Sequence, residues 1–118
     1  MGLFGKKKTN TGMPFEEIDS VEKAQVEIER GGLERMYIIS PSLFGGSEND
    51  DNILYVPAGF SVQKDDLDMR VADLMREGHQ CGFDCKPIYK GRSVVPSKII
   101  FSYRCDGKPY MTVTIKIW

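Results

Sequence analysis

The chain has 118 residues, enough for one domain with its own hydrophobic core, and 41% of its residues are hydrophobic and 28% charged. A formal net charge of −1 excludes the strong positive field that recruits nucleic acid, so no nucleic-acid partner is expected. No apolar run approaches the roughly 18 residues of a membrane-spanning helix, and no signal-peptide pattern is found, which predicts a cytoplasmic protein. No cofactor-binding motif occurs, so no cofactor is expected.

Residues 1–14 are predicted to form a disordered basic tail. Glycines and the run Lys6-Lys7-Lys8 stand there without a periodic apolar pattern. A solvated tail is the favoured interpretation, and a weak contact of these lysines with an anionic membrane is the alternative. Residues 15–118 are then a single α+β domain.

The first helix is predicted over residues 19–30. Asp19 would be its N-cap, and Glu22 lies three positions on, the spacing of a capping box. Hydrophobic patterning then predicts a strand, a long loop and a second short strand. These three segments are residues 33–39, 40–52 and 53–56.

The longest helix is predicted from residue 59 or 61 to 77. Its apolar side chains recur at helical spacing, which indicates that the helix packs across a sheet as part of the core. The predicted stripe consists of Phe60, Leu67, Val71, Leu74 and Met75.

The C-terminal part carries the clearest strand pattern. In residues 97–118, apolar and polar side chains alternate on both sides of Asp106-Gly107, a pair typical of a tight hairpin turn. Residues 80–89 predict a further strand, with Pro87 at a sheet edge or strand end. The predicted fold is therefore α+β: one antiparallel or mixed sheet of about five strands, one long helix packed on one face, and a shorter N-terminal helix.

Three cysteines, Cys81, Cys85 and Cys105, do not indicate a secreted disulfide framework, so reduced thiols on strands are predicted. Cys105 would approach Cys81 or Cys85 if their strands pair. Two side chains four residues apart on one strand face are about 13 Å from each other, too far for one metal ion, so no metal site is predicted. His79 is the only histidine, and nothing in the sequence indicates that it activates a thiol, so no catalytic residue is assigned.

Two charged clusters supply the candidate partner-binding residues. The long loop carries acidic side chains, and the turn before the C-terminal hairpin carries basic ones, each with an aromatic residue nearby. Solvated edges are the commoner reason for such clusters. In a binding protein they would instead face another protein or a second copy in a homodimer, with a tryptophan as an anchor. The candidates are Phe44, Glu48, Asp50, Asp51, Tyr89, Lys90, Arg92 and Trp118.

Four segments together resemble small uncharacterised bacterial proteins, some of which accompany polymorphic toxin systems as candidate immunity proteins. The resemblance covers about residues 33–118. It implies a cytoplasmic protein that binds another protein, and it carries no established functional residues. The segments are Phe44-Gly45-Gly46-Ser47, Tyr55-Val56-Pro57, Tyr89-Lys90-Gly91-Arg92-Ser93-Val94-Val95-Pro96 and Thr114-Ile115-Lys116-Ile117-Trp118.

The leading functional prediction is a non-enzymatic protein-binding module, such as an immunity or accessory protein. The alternative is a small hydrolase or nuclease-like enzyme that uses His79 and nearby cysteine or aspartate side chains. A cleft that gathers His79 with such side chains would favour the enzyme. A surface with paired acidic and basic loops would favour the binding module.

Overall fold

The computed structural model describes residues 13–118, and most of the predicted basic tail lies outside this range. The helices are α1 (Val21–Glu29), α2 (Pro41–Phe44) and α3 (Ser61–Arg76). The strands are β1 (Leu33–Tyr37), β2 (Ile53–Pro57), β3 (Cys81–Ile88), β4 (Lys98–Cys105) and β5 (Lys108–Lys116). Short 3₁₀ turns cover Phe15–Glu17 and Asp50–Asn52. No helix within residues 13–118 is long and apolar enough to cross a membrane.

The predicted α+β fold with five strands is confirmed, but the strands form two antiparallel sheets instead of one. β1 pairs with β2, in a register that places Tyr37 opposite Ile53. β3, β4 and β5 form a three-stranded meander with β4 in the centre. The segment before β4 bonds to the N-terminal region, since the Val94 N–H donates to the Ile18 carbonyl at 2.8 Å. Side-chain alternation identifies strands but not their neighbours, so the sequence could not reveal this division.

One hydrophobic core joins the two sheets. Its side chains come from both sheets, from α1 and α3, and from the segments that flank them. A shared core of this kind makes the two sheets one domain. Among its members are Phe15, Leu33, Met36, Val56, Val71, Val95, Ile99 and Phe101.

Helix α3 packs on one face of the meander, but its buried stripe differs from the predicted one. Lys64, Asp68, Val71 and Ala72 are buried, whereas Met75 is 42% exposed. The prediction assigned burial by side-chain polarity. It therefore missed that Lys64 and Asp68, one helical turn apart, enter the core together.

A buried amide fixes the long loop between β1 and β2. The side chain of Asn52 accepts a hydrogen bond from the Ile39 N–H at 2.8 Å and donates to the carbonyls of Ile39 and Ser47 at 2.9 and 2.6 Å. The chain also passes close to itself here, because a Cβ atom on Gly46 would lie 1.9 Å from the Ile39 carbonyl oxygen. The loop is thus an ordered connection that contains α2 and a 3₁₀ turn.

The N-cap of helix α1 lies one residue after the predicted position. Its N-cap is Ser20, whose Oγ accepts a hydrogen bond from the Lys23 N–H at 3.2 Å. Asp19, the predicted cap, instead pairs with the Lys23 ammonium at 2.9 Å. Aspartate and serine both cap helices well, so the sequence did not decide between neighbouring positions.

Candidate functional site

The three strands of the meander end together at a row of basic side chains. Ile88 of β3 lies opposite Lys98 of β4, and Lys98 lies opposite Lys116 of β5. Ser97 fixes this arrangement, because its N–H and Oγ donate to the Ile88 carbonyl at 2.7 and 3.1 Å and its carbonyl accepts from the Ile117 N–H at 2.7 Å. The two lysines are therefore held side by side on adjacent strands.

This row borders a surface cavity of about 570 Å³, which we call the basic hollow. The ring of Trp118 stacks on Phe15 with a centroid distance of 5.4 Å, and its Nε1 donates to the Val95 carbonyl at 3.1 Å. The Lys90 ammonium lies 4.8 Å from the centre of the same ring. Trp118 is thus a half-buried wall of the hollow. The lining consists of Ile88, Tyr89, Lys90, Ser97, Lys98, Thr114, Lys116 and Trp118.

The lysines of the basic hollow are not paired with acidic side chains of the part of the chain that the structure describes. None of its lining side chains is acidic. Within residues 13–118, no ion pair involves Lys90, Lys98 or Lys116. Like charges directly opposite each other on neighbouring strands destabilise a sheet. The hollow therefore combines the aromatic surfaces of Tyr89 and Trp118 with three lysine side chains that form no ion pair among the described residues.

A second cavity, of about 340 Å³, adjoins the basic hollow at Tyr89, which lines both. We call it the tyrosine hollow. It lies between β2, which contributes Tyr55, and the segment that contains Ser93 and Val94. Tyr89 is 47% exposed, and its partial burial, followed by the nearby Cys85, raises the pKa of its hydroxyl. The two hollows place the predicted basic turn beside strand β2.

The predicted acidic residues lie next to this strand. Glu48, Asp50 and Asp51 are all exposed, and the 3₁₀ turn Asp50–Asn52 leads directly into Ile53 of the tyrosine hollow. Within residues 13–118, no group of three or more histidine, cysteine or acidic side chains is arranged to hold a metal ion. These three acidic residues, which we call the acidic turn, thus adjoin the tyrosine hollow. They are not part of the lining of the basic hollow.

Two other predicted binding residues lie elsewhere. Phe44 is half-buried and packs against Phe83, with a centroid distance of 6.0 Å. Arg92 is exposed and does not line the basic hollow. Its charge contributes to lowering the pKa of Asp19, after the hydrogen bond and charge of Lys23.

The cysteines differ from the predicted reduced thiols. Cys81 and Cys105 lie directly opposite each other on β3 and β4, with Cα atoms 4.1 Å apart, and form a disulfide. The prediction relied on cysteine count and presumed compartment, and neither of these reports strand register. Cys85 is a free thiol, and burial raises its pKa to about 11, which leaves little reactive thiolate near neutral pH.

His79 contacts an aspartate at the end of the meander that carries the disulfide. Its Nδ1 lies 2.7 Å from Asp106 Oδ2, and this hydrogen bond and the charge of Asp106 raise the pKa of His79. The two side chains are 45% and 53% exposed. Within residues 13–118, the His79 side chain contacts no hydroxyl or thiol within hydrogen-bond reach. The contact brings His79 together with an aspartate, as the enzymatic alternative expects, on an exposed part of the surface.

A buried polar cluster under the meander was missed by the sequence analysis. Lys64 Nζ lies 2.5 Å from Asp68 Oδ2, and Asp68 Oδ1 accepts a hydrogen bond from the Tyr103 hydroxyl at 3.0 Å. The Lys64 ammonium also lies 5.4 Å from the centre of the Phe83 ring. The available signal was the spacing of Lys64, Asp68 and Val71 along one helical face. Because these charged groups compensate one another, the cluster has a structural role.

No known protein family matches this chain, and no curated protein is significantly similar to it. The geometry of the basic hollow and its surroundings is therefore the ground for a functional conclusion.

Proposed function

We propose that this protein is a non-enzymatic binding module that holds an acidic segment of a partner protein in the basic hollow. The observation that carries the proposal is the cross-strand pair of Lys98 and Lys116, which has Lys90 beside it and no acidic side chain in the lining. Carboxylates from a partner would supply the missing charge and remove the repulsion between the lysines. Tyr89 and Trp118 add aromatic surface of the kind that is enriched at interfaces.

The acidic turn favours a short acidic segment over a long polyanion such as nucleic acid. Glu48, Asp50 and Asp51 precede the strand that lines the tyrosine hollow, and this hollow shares Tyr89 with the basic hollow. A polyanion that extended along this surface would be repelled by these carboxylates. A protein with an acidic segment and neighbouring basic residues would complement both regions.

An immunity or accessory protein that neutralises another protein would use a surface of this kind. The resemblance to candidate immunity proteins of toxin systems supports this more specific role, and the proposed compartment is the cytoplasm. A homodimer, in which the acidic turn of one copy enters the basic hollow of the other, is the competing arrangement.

The experiment uses Trp118, the only tryptophan in the chain, as a reporter inside the hollow. A decaglutamate peptide is titrated into the full-length protein while tryptophan fluorescence is recorded. We expect a saturable change that weakens as salt is added, because exposed charges are screened. The change should be lost in a variant with both Lys98→Glu and Lys116→Glu.

The matched control is Lys108→Glu, a charge reversal of an exposed lysine at the opposite end of β5. It should bind the peptide like the wild type. Equal binding by the wild type and the double variant, or equal loss in the control, would contradict the proposal. Light scattering tests the competing arrangement, which requires a dimer that dissociates when Glu48, Asp50 and Asp51 are changed to lysine.

A further inference from the structure

The disulfide lies at an accessible end of the meander. Cys81 is the first residue of β3, which is an edge strand, and Cys105 is the last residue of β4. Both side chains are only partly buried, and their chain neighbours Gln80 and Asp106 are exposed. A thiolate from solution can therefore approach this bond, which a disulfide in the middle of the core would prevent.

The disulfide is only one of the contacts that align the two strands. β3 and β4 are paired over eight residues each, and Phe83 and Cys85 lie opposite Tyr103 and Phe101 further along the ladder. Beyond the disulfide, the Asp106 N–H donates to the Gln80 carbonyl at 2.7 Å, and the Gln80 N–H donates to Asp106 Oδ1 at 3.0 Å. The backbone would thus hold the two sulfurs of a reduced protein face to face, at a high effective concentration for closing the bond again.

The third cysteine is kept out of this chemistry. Cys85 lies four residues after Cys81 on the same strand face, about 13 Å away along an extended strand. Its partner across the ladder is Phe101, and burial raises its thiol pKa to about 11. Reduction of the disulfide therefore does not lead to a different pairing.

We propose that Cys81 and Cys105 form a thiol–disulfide exchange site whose reductant is a dithiol, and that the oxidised and reduced forms share one fold. In the first step, a thiolate of the dithiol attacks one sulfur, the bond between the two cysteines breaks, and the leaving sulfur takes up a proton. In the second step, the other thiol of the reagent displaces the remaining cysteine. Two electrons and two protons are transferred, which yields two protein thiols and an oxidised dithiol.

This site is independent of the proposed binding function, because the basic hollow lies at the opposite end of the same sheet. Opening the disulfide removes the covalent tie between the start of β3 and the hairpin turn. The local consequence is faster opening of the edge strand around residues 79–82. The pairs near Ile88 and Lys98 keep their contacts.

The test uses the full-length protein in native buffer with mixtures of reduced and oxidised dithiothreitol. Samples are alkylated with an excess of N-ethylmaleimide at neutral pH under native conditions and analysed by peptide mass spectrometry. We expect Cys81 and Cys105 to become labelled together as the mixture becomes more reducing, and to lose labelling again on reoxidation. Labelling of Cys85, which is a free thiol in both forms, should be independent of the mixture, and the circular dichroism spectrum should be unchanged.

A Cys85→Ser variant should show the same labelling of the other two cysteines. The proposal is overturned if Cys81 and Cys105 become labelled only in denaturant, if Cys85 is labelled in parallel with them, or if reduction abolishes the native spectrum. Hydrogen exchange of the reduced protein gives a second readout. Faster exchange should be confined to residues near 79–82 and should not extend to the lysines of the basic hollow.

Discussion

The two ends of the three-stranded meander are built in opposite ways. At the disulfide end, Cys81 and Cys105 are covalently joined and His79 is paired with Asp106. At the lysine end, Lys98 and Lys116 face each other as like charges, with no ion pair to any of residues 13–118. The same sheet thus contains one end with a paired imidazole and carboxylate and another end with two lysines directly opposite each other. The paired imidazole adds to stability, whereas the lysine pair lowers it and is the feature on which the proposed binding function rests.

The centre of the sheet shows how strongly the fold depends on compensation when charges are buried. Asp68→Ala would leave the Lys64 ammonium without its carboxylate and the Tyr103 hydroxyl without its acceptor. We expect the free energy of unfolding to fall by about 3–5 kcal/mol, measured by urea denaturation. Asp66→Ala, at an exposed position of the same helix, should change it by less than about 0.5 kcal/mol. Similar midpoints for the two variants would show that the buried pair is not required.

The disulfide end can be weakened by removing its covalent bond. The two cysteines are separated by 24 residues, and the loop-entropy argument gives a loss of about 3 kcal/mol in a Cys105→Ser variant. Urea denaturation with and without dithiothreitol provides the internal control. The reductant should destabilise the wild type and leave the variant unchanged. An equal effect of dithiothreitol on both proteins would contradict this assignment.

The lysine end should respond in the opposite direction. Lys98→Glu replaces a repulsive cross-strand pair by an attractive one, so we expect the free energy of unfolding to rise by about 0.2–1 kcal/mol. The same variant should bind the acidic peptide more weakly. Lys108→Glu, away from the hollow, should change neither property by a comparable amount. A loss of stability in Lys98→Glu would mean that the lysine pair is already compensated within the protein.

The smallest effect is expected for the exposed ion pair at the disulfide end. His79 has a pKa raised above 6.5, so its contribution is complete below that value and is lost as pH rises through the raised pKa. The pKa of Asp106 is lowered from 3.8, chiefly by the Gln80 N–H and then by His79, so its contribution is lost only as pH falls through the lowered value. The stability difference between the wild type and His79→Gln should therefore be largest between about pH 4 and 6.5. Thermal unfolding across pH measures it, and a difference that grows above pH 8 would contradict the assignment.

Local patterns in the sequence were sufficient to predict much of the fold. The Asp106-Gly107 turn has positive φ values of 55° and 77°, and the alternation around Phe101 and Tyr103 matches their burial. These features depend on neighbouring residues and on the period of a strand, so sequence reasoning reaches them. Gly78, just after α3, has a φ of 102°, a conformation that glycine adopts without strain at the end of a helix.

The features that the sequence did not reveal depend on contacts between distant segments. The Lys98–Lys116 pair and the Cys81–Cys105 disulfide require strand register, which composition does not contain. Burial of Lys64 depends on a tyrosine in another element, and the role of Asn52 depends on the path of the loop. Of the predicted binding residues, only Tyr89, Lys90 and Trp118 line the basic hollow, since these come from segments that meet at one end of the sheet.

The two sheets also differ in the length of the chain segment that connects their paired strands. β4 and β5 are joined by a two-residue turn, whereas β1 and β2 are joined by a long segment that has to fold around Asn52. Closing a longer loop costs more conformational entropy before any contact is gained, so we expect β1 to pair with β2 more slowly than β4 pairs with β5. During folding, the chain should therefore place Lys98 opposite Lys116 before β2 completes the tyrosine hollow. The repulsive lysine pair would then form earlier than the tyrosine hollow.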